Sequence, residues 1–350
     1  MQDVAYPGTK EAGALASFTV FAYNQEAFVR DAVRGAFGQE YRPLEVILSD
    51  DASSDRTFEI MQEEARSAPP GIHVVLNRNP RNLGIAEHIN RVIGLARGEF
   101  VVLSAADDIS LPHRTGMSVR ALRDDPQGRR VLHATVLNVA ADGTPLHLRR
   151  NPHREIFGSP AQVVARDAYL TGSSVVLRRG MYADFPPLNA DVVNEDKVTA
   201  FRCAFHGGAV YIDEPLVHYR AGVGVSTLHG DILSGREDPV REARYVRTGL
   251  ARRLSVLGQM RVDAGSGPLA GKVPGEVLRA IEVEAKGLRR ALAFMDDPRA
   301  SRLPGLFAAA GFGRKTLKIA LLGMAPRLYH RYKVLRHRPA RSAGGRTGRP

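Results

Sequence analysis

One cysteine, Cys203, stands in 350 residues, so no intrachain disulfide and no zinc site built from several thiolates can form. It lies in the apolar run Phe201–Phe205, where a buried, unreactive thiol is expected. No stretch approaches the roughly 18–20 uninterrupted apolar residues that cross a bilayer. The best candidate, Ile319–Ala325, is seven residues long. Asp3 and Glu11 interrupt the start of the chain and no secretory signal is legible there, so a cytoplasmic location is expected. Neither GxGxxG nor GxxxxGK[ST] follows the first apolar strand, which excludes the usual dinucleotide dehydrogenase and P-loop NTPase loops.

Acidic residues are missing after Asp297. The whole chain carries 49 Lys+Arg against 37 Asp+Glu, a net of +12, and the stretch Pro298–Pro350 holds 13 of those cations. The 297 residues before it therefore hold 36 basic and 37 acidic residues, a net of −1. A nucleic-acid binder needs its basic charge on the folded face. The charge here sits in a tail, so no nucleic-acid partner is expected.

What is present reads as layered α/β structure. Residues 1–15 form a lead-in. From Ser17 to about Arg123 strands and helices alternate: strands at Ser17–Tyr23, Leu44–Leu48, His73–Leu76 and Phe100–Leu103, and helices at Glu26–Phe37, Thr57–Ala65 and Ile85–Ala96. That rhythm predicts a Rossmann-like, mainly parallel sheet with helices on both faces. From about residue 130 the pattern changes. A hairpin is expected around Val131–Val139 and the Asp142-Gly143 turn, with strands at Ser173–Leu177 and Ala209–Ile212 and a helix at Val198–Phe205. Two amphipathic helices follow near Val240–Met260 and Glu276–Phe294, and the end, Arg338–Pro350, has a disordered composition.

In a parallel α/β sheet ligands collect at the carboxyl ends of the strands. Those ends carry Tyr23-Asn24-Gln25-Glu26, Ser49-Asp50-Asp51, Asn82-Leu83-Gly84 and Ala105-Ala106-Asp107-Asp108. Adjacent carboxylates are costly unless something cationic neutralises them. Asp50-Asp51 also suits an Asx turn and helix cap. Asp107-Asp108 supplies hard oxygen ligands for Mg2+ or Mn2+ at a strand end.

The ordered set Tyr23-Asn24 with Glu26, Gln39 with Tyr41, Glu45-Val46-Ile47, Asp50-Asp51 through Asp55 and Thr57, Asn82-Leu83-Gly84, Asn90, Gly98-Glu99, and Asp107-Asp108 with Pro112 resembles the family 2 glycosyltransferases of the GT-A fold. The resemblance continues more loosely to about Ser226. It implies an inverting transfer of a sugar from a UDP- or dTDP-sugar to a hydroxyl of a glycan, lipid-linked or small-molecule acceptor, in cell-surface polysaccharide biosynthesis. It places Phe21, Tyr23, Asn24, Glu26, Asp50, Asp51, Asn82, Gly84, Asn90 and Asp107 around the nucleotide sugar, with Asp51 on the uracil or thymine ring. A divalent cation, Mn2+ or Mg2+, is implied at Asp107 and Asp108 with His218 as a further ligand, and Arg220 is expected to clamp phosphate. Many members read Asp-Ala-Asp-Asp where this chain has Ala105-Ala106-Asp107-Asp108, which leaves open which Asp is the ligand. Asn194-Glu195-Asp196 resembles the family's Glu-Asp motif, with Asp196 as general base and Glu195 as the alternative. Local sequence reads the same residues as a helix N-cap with a dipole-favoured acid in the first turn. Gly172 and Ser173 are expected to open a strand on the acceptor side, and His218 alone also reads as structural.

The expected organisation is thus a GT-A domain over 16–230, with halves at 16–125 and 126–230, and a helical extension over 231–337. In the tail, aliphatic residues such as Leu317, Leu321 and Leu328 alternate with Lys315, Lys318, Arg327 and Arg331. That pattern fits either a helix packed on the body or one lying on an anionic lipid surface, which would make the protein peripheral on a membrane. Two rivals are a nucleotidyltransferase, which would need a Gly-rich, Lys/Arg-bearing loop that Tyr23–Arg30 lacks, and a nucleic-acid binder, which the balanced body disfavours.

Overall fold

The structure, a computed structural model, describes residues 13–154, 158–223, 239–266 and 270–296. Most of the lead-in, Gly224, Ser226 and the basic tail lie outside them. The first half runs β1 (Ala16–Ala22), α1 (Val29–Phe37), β2 (Leu44–Asp50), α2 (Thr57–Ala65), β3 (Ile72–Arg78), α3 (Ile85–Leu95) and β4 (Phe100–Ala105). The sheet order is β3-β2-β1-β4, all parallel.

Period two decides the faces of these strands. Phe18, Val20 and Ala22 of β1, Val46 and Leu48 of β2 and Val102 of β4 enter one hydrophobic cluster, with Val29, Ala32, Val33 and Ala36 of α1 and Ile60 and Met61 of α2. The residues between them, among them Ile47, Val101 and Leu103, are buried on the opposite face, where α3 packs on β1 and β2. Both faces are covered, as a parallel sheet requires. In-register pairing brings Ala22 beside Asp50, Asp50 beside Arg78, and Phe21 beside Ala105. One edge of the sheet therefore presents every strand-end motif together.

The second half continues with β5 (Ile109–Ser110), α4 (Arg114–Arg123), β6 (Val131–Val139), β7 (Pro145–Arg149), α5 (Pro160–Arg166), β8 (Val176–Arg178), α6 (Gly180–Ala183), α7 (Glu195–Ala204) and β9 (Ala209–Arg220). These strands extend the sheet as β4-β8-β6-β9-β5, and β7 pairs with β6 at its side. Two sequence expectations are corrected. Gly172–Ser174 is a 3-10 turn, not the start of a strand, and only Val176–Arg178 is extended. The Ser174 hydroxyl forms the reason: it donates toward the carbonyls of Thr171 and Ala134 and accepts from the Ala134 N–H, which curls the chain. The strand expected to stop at Ile212 runs on to Arg220, because Pro215, which has no N–H to pair, falls where the register with β6 shifts.

Two long helices end the described chain, α8 (Pro239–Ala264) and α9 (Gly275–Asp296). The chain divides into one unit of Met1–Thr227 with Arg252–Lys286 and another of Leu228–Ala251 with Gly287–Pro350. The boundary expected at 231 therefore does not coincide with the division: residues 252–286 belong with the body. A buried ion pair makes them part of it. Arg202 of α7 donates to both oxygens of Asp263 on α8, at 2.8 and 2.9 Å, with neither side chain exposed. Gln259 donates to the same carboxylate, and the guanidinium packs on Tyr182 and Phe185. No helix among the described residues is long and apolar enough to cross a membrane. Cys203 is buried, its thiol pushed up by burial.

Candidate active site

The loops after β1 and β2 are stitched together by their own motif residues. Asn24 donates its N–H to the Ser53 hydroxyl and accepts the Ser54 N–H, Gln25 donates its N–H to the Thr57 hydroxyl, and Glu26 exchanges bonds with Asp55 and the Arg56 N–H. Asn24 and Ala52 both sit at positive φ, 51° and 59°, a conformation most side chains avoid. Asn24 and Glu26 were expected around the nucleotide; here their side-chain acceptors build the wall of the site. Tyr23, nearly half exposed, stands at the same edge, and Phe21 meets the buried His88 edge to face. Burial lowers the proton affinity of His88 against the pull of Asp51 and Asp50, and its Nε2 is 2.7 Å from the Ser49 hydroxyl.

Asp50 and Asp51 have different partners. Asp51 accepts from Asn79, from the Leu83 N–H and from the Gly84 N–H, so it fastens the Asn82–Gly84 loop to the end of β2. Gly84 adopts φ 80° and ψ 164°, a region open to glycine alone, and Asn82 caps it by accepting its N–H. Asp50 has one oxygen on the Ser53 N–H and near Arg78; its Oδ1 is buried and has no partner among the described residues. Asn90 is turned away from this group. Its carboxamide makes two bonds to the backbone of Leu188, at 2.8 and 3.0 Å.

Beyond β4, Asp107 and Asp108 both have raised proton affinities. Burial is the main cause in each, and for Asp108 the Asp107 charge adds to it. Asp107 is hydrogen-bonded by Gln25. Asp108 accepts the Arg220 N–H at 3.0 Å, and the fully buried Arg114 lies behind it, held by the Ser110 hydroxyl and the Leu103 carbonyl. Burial lowers Arg114 to about 9, with Asp108 opposing. Two neighbouring carboxyls that resist ionising together are hard-oxygen donors for a divalent cation, whose charge would let both ionise. Among the described residues no three His, Cys, Asp or Glu cluster to hold an ion, so His218 does not complete a ligand set with this pair. Asp108 is instead drawn onto the Arg220 backbone and toward Arg114. Arg220 is likewise not a free phosphate clamp. Its guanidinium donates to Asp31 at 2.5 Å and to the Asp107 carbonyl at 3.0 Å, over the Phe28 ring.

A second acidic centre opens α7. Asn194 occupies the N-cap without a side-chain capping bond, and Glu195 and Asp196 fall in the first turn, where the helix dipole favours acids. Burial, together with Asp196, raises Glu195 to about 8; burial raises Asp196 to about 6, with Lys197 and its N–H drawing it back. Asp196 therefore ionises first, and Glu195 stays protonated at neutral pH. Gly172 of the 3-10 turn lies against the pair: a Cβ there would be 3.5 Å from Asp196 Cβ and 3.7 Å from Glu195 Oε1. Lys197 is held by Asp167, which also pairs with Arg253 of α8. The Ser173 hydroxyl, next to Gly172 in the 3-10 turn, is buried without a partner among the described residues.

The sequence profile described as Glycosyl transferase family 2 matches residues 17–166. Over that stretch the chain resembles the family 2 glycosyltransferases. An uncharacterized protein of Mycobacterium tuberculosis is 31% identical to it over 212 residues, 58% of each chain. The succinoglycan biosynthesis protein ExoO of Rhizobium meliloti is 30% identical over 132 residues, 38% of this chain and 36% of that protein. These matches span 58% and 36% of the two relatives' own lengths. The crystal structure of S. aureus TarS 1-349 in complex with UDP-GlcNAc superposes with a TM-score of 0.53 at 15% identity, covering 88% of this chain and 79% of that one. That likeness is one of fold: the described residues form a mixed α/β sheet of the GT-A kind followed by helices. Sequence reasoning missed Gln25 as a partner of Asp107, Asn79 as a partner of Asp51 and Arg114 behind Asp108. Only Gln25, inside a strand-end motif, carried a local signal.

Proposed function

We propose that the protein is an inverting glycosyltransferase that moves a sugar from a nucleoside-diphosphate donor, with uracil or thymine as its base, to an acceptor hydroxyl. The observation that carries this reading is the pair of acidic centres with unlike chemistry. Asp107 and Asp108 have raised proton affinities that favour a cation, while Asp196 ionises near 6 with one carboxylate oxygen on the Lys197 N–H. The donor would lie along the carboxyl edge of the sheet, its base toward Asp50 and Asp51 and its diphosphate toward Asp107 and Asp108. The unpartnered Oδ1 of Asp50 is an acceptor that an imide N–H would satisfy. The uridine nucleotide named for the TarS structure supports a pyrimidine donor here.

Asp107 and Asp108 would hold Mn2+ or Mg2+, and such a cation supplies charge against the departing diphosphate. Asp196, ionised at neutral pH, removes the acceptor proton as the acceptor oxygen attacks the anomeric carbon. Glu195, kept neutral by burial, adds no second negative charge beside the base. The ExoO resemblance supports a role in polysaccharide biosynthesis. The test is thermal-shift screening of the full chain against UDP, dTDP, GDP and ADP, each with and without Mn2+, followed by donor hydrolysis with the matching sugar nucleotides. Stabilisation by UDP or dTDP that grows with Mn2+ is the expected result. Stabilisation by none of them would refute the reading.

A further inference from the structure

The phosphate-binding arginine expected at 220 is committed to Asp31 and the Asp107 carbonyl, which leaves the diphosphate without a protein cation in that role. Arg149 offers one. It ends β7, opposite Val136 of β6. Its guanidinium carbon lies 4.2 Å from the centre of the Tyr219 ring. Tyr219 precedes Arg220, whose N–H holds Asp108. Among the described residues Arg149 makes no hydrogen bond and no ion pair, whereas the next residue, Arg150, is paired with Asp213. A guanidinium braced on an aromatic face with all five N–H donors unused is pre-organised for an anion.

Its position beside the first acidic centre identifies that anion. Ile109 pairs with His218 and the Arg220 N–H holds Asp108, so Tyr219, whose ring carries the Arg149 guanidinium, lies between two residues fixed beside Asp108. Arg149 therefore stands at the proposed cation site. In a displacement at the anomeric carbon the cation site and the base mark the ends of the reacting line. The bond from the carbon to the phosphate oxygen breaks and its electron pair goes to that oxygen. The acceptor oxygen bonds to the carbon, and its proton goes to Asp196. Negative charge grows on the leaving phosphate, at the cation end of that line.

We propose that Arg149 binds the departing diphosphate, its guanidinium fork closing on the phosphate whose bond to the sugar breaks. This rests on the glycosyltransferase reading above. The test is calorimetric titration of the full chain with UDP and with UMP in EDTA, so that no cation contributes, and with dTDP and dTMP if thymine binds better. Arg149→Gln is expected to weaken the diphosphate about tenfold and the monophosphate less than about twofold, the loss of one charge-assisted pair. Arg149→Lys, which keeps the charge but not the fork, should fall between. A diphosphate-to-monophosphate ratio in Arg149→Gln equal to that of the wild type would overturn the proposal. So would an equal loss of both ligands, which would mark Arg149 as only a structural support for Tyr219. Failure of the wild type to bind any nucleoside diphosphate is a separate result, and it would overturn the reading of the whole site together with this role.

Discussion

Replacing Asp196 by Asn and Glu195 by Gln separates two adjacent carboxyls that hold their protons differently. With Asp196 at about 6, roughly nine tenths of it is ionised at pH 7; with Glu195 at about 8, roughly nine tenths of it is protonated. Asp196→Asn removes the only ionised carboxylate of the pair. Loss of a general base costs about 10²- to 10⁴-fold in kcat, or about 3–5 kcal/mol in barrier. Glu195→Gln exchanges one neutral group for another and should change kcat at pH 7 by less than about threefold. The pH profile sharpens the contrast. Wild-type activity should climb through about pH 6 and change again near 8; Glu195→Gln should keep the first limb and lose the second. The stability signs follow from the same shifts. Both acids have folded values above their unfolded ones, so their contribution is full below about pH 4 and is lost as pH rises toward about 8. Glu195→Gln should therefore unfold at a higher temperature than wild type at pH 8.5 and not at pH 4. The assay is nucleotide release from the donor identified by the thermal-shift screen, measured from pH 5 to 9, with unfolding of each variant followed in parallel. Equal inactivation by both substitutions at pH 7, or a profile whose lower limb vanishes in Glu195→Gln, would refute the assignment.

Asp263→Ala leaves the buried Arg202 guanidinium with the Pro186 carbonyl as its remaining hydrogen-bond acceptor among the described residues, and should cost about 3–5 kcal/mol in urea unfolding; a loss under about 1 kcal/mol would show that α8 does not brace α7. Gly84→Ala meets no atom within 4 Å, so its cost is backbone strain alone, about 1–3 kcal/mol, and it should also weaken nucleotide binding by loosening the loop that Asp51 holds. An unchanged unfolding midpoint would remove the argument for that glycine. Asp107→Asn combined with Asp108→Asn should make nucleotide affinity independent of Mn2+, and a retained Mn2+ response would move the cation site elsewhere.

Much of the framework was legible because it depends on neighbours along the chain. The spacing Phe28, Val29, Ala32, Val33, Ala36 predicts α1, and alternation in the β1 run predicts which residues face the cluster. Strand ends and their acidic pairs follow from the same pattern. The turn at Gly172–Ser174 was not legible, because it depends on Ser174 reaching Ala134, 40 residues away. The continuation of β9 past Pro215 depends on a register shift in its partner strand, which a single strand's sequence does not contain.

By itself the sequence determined the layered α/β class, the strand ends that carry carboxylates, the balanced body with its basic tail, and the Asn194-Glu195-Asp196 helix start. Only the tertiary structure decided which of those groups remain available for chemistry. Arg220 is tied to residues 112 and 189 positions away, Asn90 to one 98 away, and Asp51 to a loop 33 away. A polar side chain in a folded interior satisfies the partner that folding brings to it, and chain distance sets no limit on that partner. Residue type and spacing therefore nominate candidates, while three-dimensional pairing ties Arg220 to Asp31 and the Asp107 carbonyl and Asn90 to Leu188, and leaves Asp50 Oδ1 without a partner among the described residues.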